Sequence, residues 1–360
     1  MDTDSKARNN MATMNSKERI LVPLDGSPAA EAAIPHAATL ALVTSSVLRI
    51  VRVVQRGFFD PSEMTRTTAS DYGHELHMAD VRDAADYLAT VDRRLEGEGV
   101  EVESAVLEGD PAQTLIHHAE SDPAITMLAM TTHGRSGPGR WPLGSVTERV
   151  LANIEKPLLL VHPEGGIRIP PVYTYHLIVV PLDGSLLAES ALDNARLLAC
   201  STGAALLLVA VVPSPDDIGR LPGGVHLPVS LDAWQAEVEE ISCYLRRTAR
   251  DMCGQVSGLA VQVRVVAGHP ADAIIDMSDR TRADLIVMST HGKGAQLSKG
   301  GQAHTWLGSV ALRVVQGAHA PVLLLRAKEL NDPSEWARYE RLQQQCLDDP
   351  AIAPLSVEAR

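Results

Sequence analysis

The octapeptide ILVPLDGS at residues 20–27 returns as IVVPLDGS at 178–185, which sets Asp25 and Asp183 at an offset of 158. The same offset relates Thr132-His133-Gly134 to Thr290-His291-Gly292, whereas Gly144-Ser145 and Gly308-Ser309 are 164 apart, so the second copy carries six extra residues between these anchors. Gly109, Pro111 and Ala112 correspond to Gly268, Pro270 and Ala271, and the match therefore runs in order through each half. Self-similarity at one period is the mark of a tandem duplication, and it obliges both halves to adopt one fold. The chain has 360 residues, and domains run to roughly 150. The duplication then divides it into a disordered tail at 1–18, a first domain at 19–163, a linker at 164–175, a second domain at 176–327 and a helical extension at 328–360.

Within each half, short β-branched and aliphatic runs alternate with longer amphipathic stretches, the pattern of βαβ units around a parallel sheet. The runs predict strands at 20–24, 47–54, 100–107, 125–130 and 157–162, and again at 177–182, 205–212, 261–266, 285–289 and 322–326. Helices are predicted at 28–42, from about 72 to 95, at 112–120 and at 146–153. Five strands and four helices per half make an α/β fold of two open, doubly wound five-stranded domains. The stretches 56–71 and 213–228, with Gly and Pro and no periodicity, read as loops. Asp332 followed three positions later by Glu335 marks the start of an added surface helix at 332–346.

Charge and composition narrow the partners. Lys and Arg total 32 against 45 Asp and Glu, a net charge of -13, which repels phosphate backbones and anionic membranes. Aromatic residues are 3%, too few for base-stacking platforms, so the core is aliphatic. Neither nucleic acid nor membrane is an expected partner. Cys200, Cys243, Cys253 and Cys346 form no C-x-x-C pair, the first 19 residues are polar, and no apolar run reaches membrane-spanning length. A reduced, cytoplasmic setting is the expectation.

In an open parallel sheet, ligands bind beyond the carboxyl ends of the strands near the point where strand order reverses. Asp25 and Asp183 end the first strand of each half, where a carboxylate can accept from ribose hydroxyls or a base amino group. The alternative is a turn aspartate ahead of a helix capped by Ser27 or Ser185. After the fourth strand come Thr131-Thr132-His133-Gly134, nine residues, Gly144-Ser145 and a helix from Val146. Glycines admit close backbone approach, and free amides at a helix start favour phosphate, so this loop is a candidate for a triphosphate tail. Arg135 and Arg140, with Lys293 and Lys299 in the second copy, can add charge-assisted bonds. The alternative is a glycine-rich connection in which Ser145 caps the helix and Glu148 completes a capping box. His133 and His291 have no nucleophile or carboxylate beside them in sequence and read as hydrogen-bonded loop residues. His74, His77, His117 and His118 lack a third metal ligand and read as surface positions. No catalytic residue and no metal site are assigned, and no Walker loop is present.

The combination of VPLDGS at the first strand, THG closing the fourth, and GSVTERVL opening the last helix resembles the universal stress protein family over 20–161 and 177–325. The resemblance implies domains like those of the adenine nucleotide alpha hydrolases, many binding ATP, with or without Mg²⁺, and associating through the final strand. Two fused copies then form an intramolecular pseudo-dimer with the fifth strands antiparallel. It implies that Leu24, Asp25, Val53, Met130, Thr131, His133, Gly134, Arg135, Gly144, Ser145 and Val146 surround the nucleotide. Asp25 contacts the nucleoside, backbone near Val53 lines adenine, and Gly134, Gly144 and Ser145 hold phosphates. In the second half the matching positions are Asp183, Val211, Ser289, Gly292, Gly308 and Ser309.

The family's first loop glycine is Thr131 here and Ser289 in the second half, and a β-branched residue resists a positive φ. The second loop, 293–307, has 15 residues rather than nine. Half one is therefore read as the nucleotide site and half two as an altered copy. The expected function is an ATP-binding stress-response module whose occupancy tunes contacts with an unidentified protein partner, without efficient turnover. An ATP-independent scaffold is the alternative. A slow ATPase ranks below both, and so does an enzyme that cleaves ATP to activate a substrate, because the Ser-Gly-Gly-x-Asp-Ser loop in which such adenylating enzymes resemble one another is Pro-Leu-Asp-Gly-Ser in this chain.

Overall fold

Long aliphatic runs with both faces buried are what a parallel sheet covered by helices requires, and the computed structural model places them there. It describes residues 17–55, 66–134, 143–163, 172–218, 230–256, 258–292 and 307–326. The expectations for residues 1–16, Arg135, Arg140, Lys293, Lys299, most of the linker and the extension at 328–360 lie outside the described residues. The chain divides into two units that follow the two halves, with 159–162 grouped with the second.

Half one runs β1 (Arg19–Pro23), α1 (Pro28–Glu31), α2 (Ile34–Thr44), β2 (Val47–Val54), α3 (Arg66–Leu95), β3 (Val102–Glu108), α4 (Pro111–Ser121), β4 (Ile125–Thr131), α5 (Ser145–Asn153) and β5 (Leu158–Val161). Its sheet carries the order β3-β2-β1-β4 with parallel pairing throughout. Ile20, Leu21, Val22, Ile50, Val51, Leu128 and Ala129 form the inner rows and are buried. Half two repeats the series: β6 (Leu177–Pro181), α6 (Leu186–Glu189), α7 (Leu192–Thr202), β7 (Ala205–Val212), α8 (Pro215–Ile218), α9 (Leu231–Gln255), β8 (Val261–Ala267), α10 (Pro270–Thr281), β9 (Leu285–Ser289), α11 (Ser309–Gly317) and β10 (Val322–Leu325). Its order is β10-β9-β6-β7-β8, again parallel. In both halves order reverses between the first and fourth strands, the position that sheets of this kind use for ligands.

Three expectations need correction. The helix predicted at 28–42 is two helices, α1 and α2, and half two breaks in the same place between α6 and α7. Pro35 near the start of α2 lacks the N–H that a continuous helix needs, but Asp193 stands at its place in half two, so proline is not the whole cause. The loop expected at 56–71 is already helical from Arg66, because 66–71 contains neither Gly nor Pro and its polar residues show no periodicity by which a helix is recognised. Part of the loop expected at 213–228 is the short helix α8, with Pro215 at its first position.

Candidate functional site

Each site begins where the first strand runs out. Leu24, buried, donates its N–H to Val51 O at 2.8 Å, and Leu182 does the same to Val209 O at 2.8 Å. The chain then turns through Gly26 (φ 84°) or Gly184 (φ 77°), a left-handed conformation that favours glycine. Asp25 Oδ1 accepts from Ser27 N at 2.8 Å, and Asp183 Oδ1 accepts from Ser185 N at 3.0 Å and Ser185 Oγ at 2.6 Å. Ser27 and Ser185 cap α1 and α6, accepting from Ala30 N and Ala188 N. The turn role foreseen as an alternative is therefore real, and it engages one carboxylate oxygen only.

The other oxygen points across to the end of the fourth strand. A Cβ built on Gly134 would collide with Asp25 Oδ2, and one on Gly292 with Asp183 Oδ2. Gly144 N donates to Thr132 O at 2.9 Å, and a Cβ there would lie 3.2 Å from that carbonyl. Gly308 N donates to Thr290 O at 2.9 Å, with a Cβ at 3.1 Å from it. Glycine at these four positions is favoured by close approach rather than by φ. The first-strand aspartate, the end of the fourth strand and the start of the last helix are thus brought together in each half.

Other predicted residues fall around this junction. Thr131 ends β4 in extended conformation, and among the described residues only Ser45 and Arg282 combine a side chain with positive φ. The expected conflict between threonine and a positive φ therefore does not arise at this position. Thr131 Oγ1 donates to His133 O at 2.8 Å, and Ser289 Oγ to His291 O at 2.5 Å, so the two hydroxyls do equivalent work. His133 Nδ1 lies 3.2 Å from Thr132 Oγ1, and His291 Nδ1 lies 3.2 Å from Thr290 Oγ1. Met130 is buried in β4, and Val53 and Val211 lie two residues beyond the carbonyls that receive Leu24 and Leu182.

Ser145 is not the cap expected of it. Gly144 is the N-cap of α5 and Gly308 that of α11, neither with a side-chain cap bond, so the capping box with Glu148 does not form. Ser145 and Ser309 are exposed first-turn residues, and Val146 is half-buried beside Ser145. The helix start consequently keeps amides that no serine occupies. In half one Thr147 Oγ1 also donates to Thr131 O at 2.9 Å, a tie that Ala311 cannot make in half two.

Sequence reasoning passes over one element of this neighbourhood. Tyr87 of α3 donates to Glu31 Oε1 at 3.0 Å, and Tyr244 of α9 donates to Glu189 Oε1 at 3.0 Å. Burial, followed by the Glu31 carboxylate, holds the Tyr87 hydroxyl well above the usual tyrosine range, with Asp25 adding to the effect. Burial, then Glu189 and Asp183, do the same to Tyr244. The signal available is the Tyr-Leu pair repeated at 87–88 and 244–245 together with the repeated Glu31 and Glu189.

Among the described residues no group of three or more His, Cys, Asp or Glu side chains could hold a metal ion, and no helix is long and apolar enough to cross a membrane. The profile of the universal stress protein family matches residues 17–162 and 174–326. The chain belongs to the universal stress protein family. A universal stress protein of Methanocaldococcus jannaschii is 30% identical over 152 residues, 42% of this chain and 82% of that one. A universal stress protein of Mycobacterium tuberculosis is 24% identical over 340 residues, 90% of this chain and 99% of its own. The crystal structure of a universal stress protein from Archaeoglobus fulgidus superimposes with a TM-score of 0.57 at 20% identity, covering 86% of this chain and 97% of that one, and so shares its fold.

Proposed function

We propose that this universal stress protein is a nucleotide-responsive regulatory module in which half one binds ATP and occupancy alters contacts with a protein partner, without efficient turnover. The observation that carries the reading is the convergence of Asp25, Gly134 and Gly144. Asp25 Oδ2 lies against the backbone of Gly134, and Gly144 packs closely on the Thr132 carbonyl at the start of the last helix, where backbone amides favour an anion. In this reading Asp25 accepts from the nucleoside, backbone near Val53 meets the base, and Gly134, Gly144 and Ser145 hold the phosphates, with Leu24, Met130, Thr131, His133, Arg135 and Val146 around them. When bound, the triphosphate supplies negative charge for the helix start to neutralise.

Binding without efficient turnover fits the histidines: His133 is engaged by Thr132, and its repeat His291 by Thr290. Half two keeps the Asp183–Gly292 approach, so its difference lies in the 15-residue loop at 293–307 and in Ala311. The domain limits 19–163 and 176–327, and the pairing of the halves as an intramolecular pseudo-dimer, belong to the same proposal. A monomeric mass for the full chain by light scattering fits that pairing, and a dimer of full chains through the fifth strands counts against it.

The test is to identify any small molecule released on gentle denaturation, and to titrate ATP with Mg²⁺ calorimetrically into stripped wild type and Gly144→Asp. One ATP per chain, abolished by the substitution, establishes half one as the working site. Two per chain shows that the longer loop of half two also binds. No uptake overturns the nucleotide reading and leaves an ATP-independent scaffold.

A further inference from the structure

The two Tyr–Glu hydrogen bonds stand out because aromatic residues are so scarce. Of six tyrosines in the chain, two occupy this one repeated position, each at 3.0 Å from its glutamate. Glu31 and Glu189 are the last residues of α1 and α6, four-residue helices whose caps, Ser27 and Ser185, give their N–H groups to Asp25 and Asp183. A continuous path therefore runs from a phenol on α3 or α9, through a carboxylate and one helical turn, to Oδ1 of the aspartate whose other oxygen, Oδ2, faces the loop glycine. The break between α1 and α2, repeated between α6 and α7, falls directly after these glutamates.

We propose that Tyr87, acting through Glu31, is a positioning residue for Asp25, and that Tyr244, acting through Glu189, positions Asp183 in the same way. The hydroxyl fixes the short helix against the long one, and the short helix fixes the serine N–H that orients the aspartate. The phenol is suited to this because it stays protonated, and so remains a donor, far above neutral pH. In half one Arg94 Nη2 takes the second oxygen of Glu31 at 2.7 Å, and the Arg52 guanidinium lies 5.5 Å from the centre of the Tyr87 ring, so the pair is held from both sides. The two glutamates are occupied by the protein and are not ligand groups themselves.

This inference rests on the reading of Asp25 as a nucleoside contact. The experiment measures ATP affinity of the full chain by displacement of a fluorescent ATP analogue for wild type, Tyr87→Phe, Asp25→Asn and the double variant, with thermal midpoints in parallel. Tyr87→Phe keeps the ring and removes the donor; it should weaken ATP by roughly fivefold to tenfold, and add less than about twofold once Asp25 is replaced. Equal losses in both backgrounds, or no loss in Tyr87→Phe, overturn the proposal. Should Asp25→Asn bind too weakly to measure, Glu31→Gln, which keeps an acceptor, must stay within about twofold of wild type while Glu31→Ala matches Tyr87→Phe; equal affinities for the two overturn it. If wild type takes up no ATP, the nucleotide reading falls and this inference with it. If wild type binds and Tyr87→Phe binds equally, this inference falls alone.

Discussion

The Asp25 carboxylate lies against the backbone of Gly134, with Oδ2 in the space that a β-carbon would occupy. The relationship is repeated between Asp183 and Gly292, so it is a property of the fold rather than of one loop. Because the obstacle is the end of a short side chain, alanine at 134 would be accommodated by swinging the carboxylate out of its Asx turn with Ser27. Gly134→Ala is therefore expected to lower ATP affinity by at least about tenfold while the protein still folds, with a loss of about 1 kcal/mol in stability as the turn bond is strained. Calorimetric titration and urea unfolding check the two halves of this expectation. Unchanged affinity would show that the orientation of Asp25 does not matter to the ligand.

Thr147 offers a test of how far the two halves differ in rigidity. Its hydroxyl donates to the carbonyl of Thr131 and so ties the start of α5 to the end of β4, and Ala311 leaves half two without that tie. Thr147→Val keeps the shape and leaves a buried carbonyl short of one partner, so a loss of about 1 to 2 kcal/mol is expected by urea unfolding. Hydrogen exchange should rise at the amides of α5 and not at those of α11.

Much of this arrangement is legible in the amino-acid sequence. The strands expected at 47–54, 205–212 and 285–289 coincide with β2, β7 and β9 residue for residue, because buried parallel strands are written mostly in aliphatic residues, interrupted in β2 by Arg49 and Arg52 and closed in β9 by Ser289. The aspartate turn and the loop glycines stand out because duplication shows each motif twice. What escapes is non-local. Tyr87 and Glu31 are 56 positions apart, and nothing in the local pattern of either residue announces the bond. Gly134 reads in sequence as permissive backbone, whereas its cause is an aspartate more than a hundred residues away. Ser145 reads as a cap from its type alone, and loses that role to Gly144, whose N–H is already bound to Thr132.

Ser45 ends α2 in the left-handed region at φ 55°, where the corresponding residue of half two is Gly203 at φ 76°. A side chain costs energy in that conformation that glycine does not. Ser45 is exposed, so replacing it disturbs no packing. Ser45→Gly is expected to stabilise the protein by about 0.5 to 1 kcal/mol, partly offset by the added freedom of the unfolded chain. A lower midpoint in urea, rather than a higher one, would contradict this.

His118 on α4 predicts how stability responds to acid. Burial first, then the nearby Arg49 charge, lowers its pKa below the usual histidine value, and its Nε2 is enclosed without a partner. The folded state therefore binds this proton less readily than the unfolded chain does. The sign follows: near neutral pH and above, both states hold a neutral imidazole and the residue carries no penalty. As pH falls through the ordinary histidine range, near 6.5, the unfolded chain is protonated first and stability drops, until the folded pKa is also passed. Urea midpoints measured from pH 7.5 to pH 5 should decline for wild type, and His118→Gln should remove part of that decline. An equal decline in the variant would assign the acid sensitivity to other groups.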